Sequence, residues 1–394
     1  MSWGRWQWVM ALRSARTSKR SGRAPGEAPD TGGRPAESTP VPTVDDTLPA
    51  TTGWLLRGKD GRLTAYAPTE DGVLRWTEER LGGPTWSGPE LLPAPGLLPY
   101  LSIAGGAQGY VHLVGLRRKP AAGGQIRTDV VYAVQFQTGR PLRDWQALGT
   151  PYPKDLARGG LLGLPAAVID PNGSLHLFAR NAGRGLSARI QKPSGAWLTW
   201  ADLKGSRMTG EAAAVVGEDG LIEVLGPTDD AVMRWRQPKV AAKAERDPKS
   251  FAARVTPGTL TSERTGGDRL THYWRDTDDR TVHAWRLESG ETAPLGGPGT
   301  GPIALLRTPV DGHDCTILAQ RGLDGRPALA AYPTEDESAG VTWTPTGEEC
   351  VGAPALALDG RGRVVMAVIA KDGGLRVSRQ KAEPGLALEA WSRV

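Results

Sequence analysis

The chain repeats one short pattern along most of its length, and this repeat limits the possible folds more than any other feature. Each unit has a polar turn that usually contains Gly or Asp, followed by a strand of alternating apolar and polar residues. Asp-Gly between two such runs is a strong signal for a β-hairpin. The first turns of seven units begin at Lys59, Ala107, Pro171, Glu218, Gly266, Val310 and Asp359.

A second turn of the same kind follows about ten residues after most first turns, so each unit holds two hairpins, or four short strands. These second turns begin at Glu70, Ala182, Thr228, Thr277, Leu323 and Lys371. Most units are 44 to 49 residues apart, and the second interval is 64. The extra length lies in a basic loop at 117–127 and a Gly/Leu-rich connector near 158–164. With 52 Gly and 32 Pro among 394 residues, helices would be broken repeatedly, which excludes a helical bundle.

Seven units of four strands predict an all-β protein, a seven-bladed β-propeller of four-stranded blades. The first segments, such as 165–169 and 211–216, are small and apolar, which suits strands crowded around a central axis. The later segments carry Trp, which suits packing between sheets where the space widens. An open array of sheets is the alternative, but it leaves exposed strand edges at both ends. We therefore favour the closed ring.

Residues 1–50 differ from 51–394 and are expected to form a flexible N-terminal tail and Pro/Gly-rich linker. Trp3, Trp6 and Met10 are spaced so that one helical turn would place them on one side. The basic residues that follow them are Arg13, Arg16, Lys19, Arg20 and Arg23. This pattern predicts a docking or membrane-surface peptide; the alternative is a disordered terminus.

The start of the chain lacks the longer apolar stretch and small-residue cleavage site of a signal peptide. We therefore expect a cytoplasmic protein, or part of a released assembly, rather than one secreted through a signal peptide. The net charge of +5 is too small to predict specific nucleic-acid binding. Cys315 and Cys350 are open to two interpretations, one disulfide or two buried thiols.

The residue patterns do not favour catalysis, and we expect no metal and no cofactor. The five His residues show no zinc-binding spacing, and there is no Gly-x-Ser-x-Gly motif. His112 and His176 occupy matching strand positions after Val111 and Leu175, which is typical of packing on a strand face. An Asp-box turn of propeller hydrolases is matched only in part, at 338–343.

The pattern Asp-Gly-x-Leu, an apolar strand, Asp-Gly-x-Leu-x-x-Trp and then Trp-x-x-Leu resembles the PLL-like bacterial lectin propellers, relatives of the tectonin type. The resemblance covers nearly all of 51–394 and is clearest at 165–203 and 211–237. It implies a seven-bladed ring that binds sugars, fucose and O-methylated sugars among them, in pockets between adjacent blades.

The predicted ligand-binding residues are Trp76, Trp235 and Trp285, which follow second turns at matching positions. A sugar can stack on an accessible Trp ring because its C–H groups face the electron-rich ring. The alternative for all three is packing between blades. The sequence thus predicts a non-catalytic, lectin-like propeller that binds a glycan or another ligand, tethered by its tail. A protein–protein scaffold that has lost sugar binding is the first alternative, and a propeller glycoside hydrolase is the second.

Overall fold

A computed structural model describes residues 40–45, 48–267 and 269–394. The predicted docking residues Trp3, Trp6 and Met10 lie outside the described residues. The described chain forms 28 strands arranged in seven antiparallel sheets of four strands each. Each sheet contains consecutive strands in chain order, so each is one blade. The prediction of a seven-bladed β-propeller is confirmed.

The blades are numbered in chain order. The strands of blades 1 to 4 are β1 Leu55–Arg57, β2 Leu63–Thr69, β3 Gly72–Glu78, β4 Trp86–Pro93; β5 Ser102–Gly105, β6 Val111–Pro120, β7 Ile126–Gln135, β8 Gln146–Gly149; β9 Ala166–Ile169, β10 Leu175–Arg180, β11 Leu186–Ile190, β12 Ala201–Asp202; and β13 Ala213–Val216, β14 Ile222–Pro227, β15 Ala231–Arg236, β16 Glu245–Ala252. The strands of blades 5 to 7 are β17 Thr261–Gly266, β18 Arg269–Arg275, β19 Val282–Arg286, β20 Thr292–Gly296; β21 Gly299–Val310, β22 His313–Gly322, β23 Pro327–Pro333, β24 Thr344–Pro345; and β25 Cys350–Leu358, β26 Val364–Ala370, β27 Leu375–Arg379, β28 Ser392–Arg393.

The first strand of each blade lies innermost, as the small residues of these strands predicted. Neighbouring first strands, such as β9 and β13, contact each other around the axis, and β1 contacts β25 to close the ring. Small side chains in β9 and β13 permit this close approach. The second and third strands of blade 1 and the second strand of blade 4 are wholly buried between adjacent blades, whereas the outer ends of β6 and β7 are exposed.

The first turns have a shared geometry that explains their Asp and Gly residues. The carboxylate of Asp170 accepts hydrogen bonds from the backbone N–H groups of Asn172 and Ser174, both at 2.9 Å. Gly173 then takes a φ of +80°, which suits a residue without Cβ. Because the strands alternate in direction, all first turns lie at one end of the ring, the first-turn face. The second turns lie at the opposite end, the second-turn face.

Residues 40–45 and 48–50 pack at the second-turn face. The backbone N–H of Thr43 donates to the carbonyl of Pro68 at 2.9 Å, and the Thr69 hydroxyl donates to the carbonyl of Val41 at 2.8 Å. A half-open cavity of about 50 Å³ lies against this segment, with Trp54 and several prolines in its wall. This part of the linker is therefore packed against the blades.

The described residues contain one short α-helix, α1 Leu156–Gly159, and two 3₁₀ turns, Ala122–Gly124 and Glu337–Ala339. None of these is long and apolar enough to cross a membrane. Cys315 and Cys350 are separate buried thiols, so the alternative of a disulfide is wrong. They belong to different blades, on strands β22 and β25.

Candidate functional site

The three Trp residues predicted to bind a ligand are buried in three different cores. Trp76 is 2% exposed, Trp235 0% and Trp285 6%. Trp76 packs between blades 1 and 7, Trp235 between blades 3 and 4, and Trp285 between blades 4 and 5. The structure therefore does not bring them together, and it offers no open ring face at any of them.

Specific contacts hold these rings in place. The indole N–H of Trp235 donates to the carbonyl of Leu203 at 2.9 Å, which satisfies its one polar group. Trp285 stacks on Phe251 with ring centroids 4.1 Å apart. The prediction of a sugar platform required access to solvent, whereas burial between blades excludes water from all three rings. Packing between blades, the alternative in the sequence analysis, describes what these residues do.

The Trp residues nearer the outer edge of the blades are more exposed than Trp76, Trp235 and Trp285, which lie on third strands. Those with partly exposed rings are Trp86, Trp145, Trp197, Trp200, Trp343 and Trp391. Trp343 still donates its N–H to the carbonyl of Leu295 at 3.0 Å, so it too has a packing role. Exposure of Trp thus increases from the inner to the outer strands, because the outer strand of each blade borders solvent.

A cleft lined by several polar side chains opens on the first-turn face, between blades 2 and 3. Its volume is about 40 Å³, well below that of an enclosed ligand pocket, so a ligand larger than a few atoms would lie mainly at its open mouth. Its polar wall residues are Gln108, Tyr110, His112 and Asp170, and Gly106 and Ile169 form part of its apolar wall. The cleft is therefore small, polar on one side, and open to solvent at the turns.

His112 occupies a strand position that recurs in the neighbouring blades. The matching residues, each directly after the apolar residue that follows the first turn, are His176, Glu223 and Thr271. These three have side-chain partners: Asp170 for His176, Arg234 for Glu223 and Thr265 for Thr271. The His112 ring has no hydrogen bond among the described residues, although His112 is only 6% exposed.

A single residue difference explains why His112 is unpartnered. In blade 3, Asp170 begins the first turn and its Oδ2 lies 3.1 Å from Nε2 of His176. In blade 2 the corresponding turn residue is Gly106, whose backbone makes the matching turn hydrogen bond to Tyr110. The missing carboxylate both removes the partner of His112 and leaves space beside it. Nδ1 is buried without a hydrogen bond in both His112 and His176, so the two rings differ at Nε2, where blade 2 lacks the carboxylate.

Aromatic side chains extend the cleft outward along blade 2. The ring of Tyr110 packs edge-on against Phe136, with centroids 4.9 Å apart. Phe136 is 42% exposed, and the guanidinium of Arg143 lies 5.5 Å from its ring centre. A partly exposed aromatic surface therefore adjoins a polar cleft.

Burial lowers the pKa of His112 to about 4 because the charged imidazolium would be poorly solvated there. The ring is therefore neutral at pH 7 and offers one hydrogen-bond donor and one acceptor. Nδ1 is buried, so Nε2 is the nitrogen that faces a ligand, and it can either donate to or accept from a hydroxyl group. The Asp170 carboxylate is already held by two backbone N–H groups and His176, so a further anion would be repelled. The cleft suits a neutral, hydroxyl-bearing ligand.

A second polar cluster, between blades 4 and 5, was missed by the sequence analysis. Glu223 accepts two hydrogen bonds from Arg234, at 2.8 and 2.9 Å, and its Oε1 lies 3.1 Å from Nε2 of His272. All three side chains are at most 2% exposed. The repeat position that links Glu223 to His112 is the signal that would have found it. Because its oxygens are already engaged, Glu223 is not available to a substrate.

The described residues contain no group of three or more His, Cys, Asp or Glu side chains arranged to hold a metal ion. No protein-family model and no curated protein sequence matches the chain. Solved structures match its fold at low identity. A PL25 ulvan lyase is 12% identical, with a TM-score of 0.55 over 89% of this chain and 96% of its own.

Two further matches are fungal proteins. AofleA from Arthrobotrys oligospora is 11% identical, with a TM-score of 0.50 over 75% of this chain and 86% of its own. An Aleuria aurantia lectin mutant in complex with Fucα1-6GlcNAc is 15% identical, with a TM-score of 0.45 over 75% of this chain and 96% of its own. At identities of 11–15%, the likeness shows the fold alone.

Proposed function

We propose that this protein is a lectin-like propeller that binds a neutral sugar in the cleft between blades 2 and 3, without catalysis. The observation that carries the proposal is that Nε2 of His112 has no carboxylate partner, because Gly106 stands where blade 3 has the Asp170 of a closed Asp170–His176 pair. A hydroxyl group of the ligand would take the place of the missing carboxylate.

The cleft offers the two kinds of contact that sugars use. The neutral His112 ring and the Gln108 amide provide hydrogen-bond donors and acceptors for hydroxyl groups. The adjoining rings of Tyr110 and Phe136 provide an apolar surface for the C–H groups of the sugar. Arg143, over the Phe136 ring, adds a donor at the outer end of this surface.

The sequence pattern resembles that of the PLL-like lectins. It makes fucose and O-methylated sugars the first ligands to test. That the tail tethers the propeller to a partner or surface through Trp3, Trp6 and Met10 remains a prediction. The scaffold and hydrolase alternatives have no described site that favours them over the cleft.

The test is a glycan array with the full chain, followed by calorimetric titration of the best monosaccharide. Gly106→Asp is the decisive variant, because it places in blade 2 the carboxylate that fills this position in blade 3. The added Cβ would meet the Ile169 side chain at 3.2 Å, a contact that a small shift relieves. We expect sugar binding to fall at least tenfold, with no loss of thermal stability because His112 gains a partner.

Asn172→Asp is the matched control, since it adds the same charge to an exposed turn residue outside the cleft wall. It should leave sugar binding within twofold of the unaltered protein. His112→Ala should abolish binding without filling the cleft. The proposal fails if no sugar binds at millimolar concentration, or if Gly106→Asp binds sugar as well as the unaltered chain does.

A further inference from the structure

The basic stretch at 117–127 forms the outer end of the β6–β7 hairpin, which is longer than the second-to-third-strand hairpin of any other blade in the described chain. Strands β6 and β7 are both ten residues long and stay paired from Val111–Gln135 to Pro120–Ile126, where the 3₁₀ turn joins them. Residues 117–127 form the outer part of this hairpin, which we call the basic arm. It leaves the blade at the second-turn face, the end opposite the cleft.

The basic arm concentrates positive charge, of which only Arg127 has an ion pair among the described residues. It contains four cationic side chains and no carboxylate. Lys119 and Arg127 are directly opposite each other in the strand register, an arrangement that repulsion disfavours. Asp129, at the base of the arm, pairs with Arg127 at 3.1 Å. Arg118 and Lys119 are exposed and have no ion pair among the described residues.

An exposed apolar side chain lies among these charges. Ile126 is 52% exposed at the end of the arm, beside the exposed Pro120. The Gly123 and Gly124 backbones at the tip have open space around them. Nothing in the fold requires an isoleucine at a solvent-facing tip, so its position suits a partner that is apolar as well as anionic.

The neighbouring segment continues the same surface character. Helix α1 packs against β7, and Leu161, just beyond it, is 59% exposed. Lys154 and Arg158 are exposed on this segment, with Asp155 as its one carboxylate. Together the arm and this segment present six cations against one carboxylate, Asp155, with Asp129 at the base of the arm as a second, and two exposed apolar side chains.

We propose that the basic arm docks the propeller onto an anionic lipid surface. Ile126 would enter the headgroup region while Arg118, Lys119 and Arg127 contact lipid phosphates. A nucleic acid or an acidic polysaccharide would attract the same cations but would gain nothing from Ile126. Since β6 runs about 30 Å from the cleft to the arm, docking by the arm would point the cleft away from the membrane.

The test is sedimentation of the full chain with vesicles of phosphatidylcholine alone or mixed with phosphatidylserine. We expect binding only to the mixed vesicles, and weaker binding as salt is raised. Arg118→Gln with Lys119→Gln should lower the partition coefficient by at least tenfold, since each cation near the surface contributes about a fivefold gain. Ile126→Ser should lower it severalfold.

Matched controls separate the arm from other basic and apolar sites. Lys239→Gln with Lys249→Gln removes two exposed charges from blade 4, and Leu323→Ser removes an apolar side chain that is 53% exposed. Both should bind as the unaltered chain does. A variant with glutamine at Arg13, Arg16, Lys19, Arg20 and Arg23 measures the contribution of this basic run of the tail.

A label reports insertion directly, because both native cysteines are buried. An environment-sensitive fluorophore on Ile126→Cys should shift to the blue with mixed vesicles, and the same label on Leu323→Cys should not. The proposal is overturned if the arm variants bind as the unaltered chain does. It is also overturned if charge removal weakens binding while Ile126→Ser has no effect, the result expected for a soluble polyanion.

Discussion

At the residue scale, one strand position is put to different uses in successive blades. His112, His176 and Glu223 occupy it in blades 2, 3 and 4, and each is almost fully buried. A buried polar group must find a partner or lose hydrogen-bonding free energy. His176 and Glu223 find partners inside the fold, whereas His112 does not. The difference between a structural residue and a candidate binding residue therefore lies in its neighbours.

Glu223 predicts how the stability of the protein depends on pH. Burial opposes its ionisation, but the hydrogen bonds from His272 and Arg234 outweigh this and lower its pKa to about 2. The unfolded chain therefore takes up a proton first as the pH falls. The contribution of Glu223 to the free energy of unfolding is fully present above about pH 4.5. It falls by on the order of 3 kcal/mol as the pH is lowered toward 2.

Urea unfolding at a series of pH values would measure this loss as a decline in the free energy of unfolding. Glu223→Gln should be less stable at pH 7, because Arg234 stays buried without its carboxylate. Its stability should also decline less between pH 4.5 and 2. Equal pH profiles for the two proteins would contradict the assignment to Glu223.

Trp235 should be important for stability, in keeping with its burial between blades 3 and 4. Trp235→Ala removes a fully buried indole and its hydrogen bond to Leu203, and we expect a loss of about 3–5 kcal/mol. Trp391→Ala, at a partly exposed position on the last blade, is the matched control and should cost clearly less. Chemical unfolding of both variants measures the difference; equal losses would argue against a special packing role for Trp235.

At the element scale, the turns made the fold predictable. An Asp and a Gly at fixed positions, such as Asp170 and Gly173, set a local geometry that depends little on distant residues. The number of blades followed from counting these turns. The cleft was not predictable in this way, because it depends on Gly106 being next to His112 and facing blade 3. The length of the β6–β7 hairpin was also missed, since basic residues and Gly at 117–127 are equally typical of a loop.

The first turn of blade 7 provides a test of how much one Asp contributes. Oδ1 of Asp359 accepts hydrogen bonds from the N–H groups of Arg361 and Arg363, and Oδ2 from the Arg363 side chain at 3.0 Å. Asp359→Ala should lower the free energy of unfolding by about 2–3 kcal/mol. Asp359→Asn should recover part of this loss, because its amide oxygen can still accept from both N–H groups. No difference between the variants would contradict the turn interpretation.

At the scale of the whole molecule, the ring closes without exchanging a strand between its ends. Blade 1 and blade 7 each use only consecutive strands, so side chains must hold the two together. The indole of Trp54 donates to the carbonyl of Ala353 at 3.0 Å across this junction. The fully buried Glu78 pairs with Arg379 at 2.9 Å, and Arg379 also donates to the carbonyl of Gly83 at 2.7 Å.

The junction between blades 1 and 7 should lose more stability when one charge of the Glu78–Arg379 pair is removed than when both are removed. Arg379→Met leaves Glu78 buried without its cation, and we expect a loss of about 3–5 kcal/mol in the free energy of unfolding. Glu78→Leu combined with Arg379→Met removes both charges and should recover much of that loss. A double-mutant cycle by urea unfolding gives the coupling between the two side chains. Additive effects would show that the pair does not hold the ring closed, leaving closure to the apolar core between blades 1 and 7.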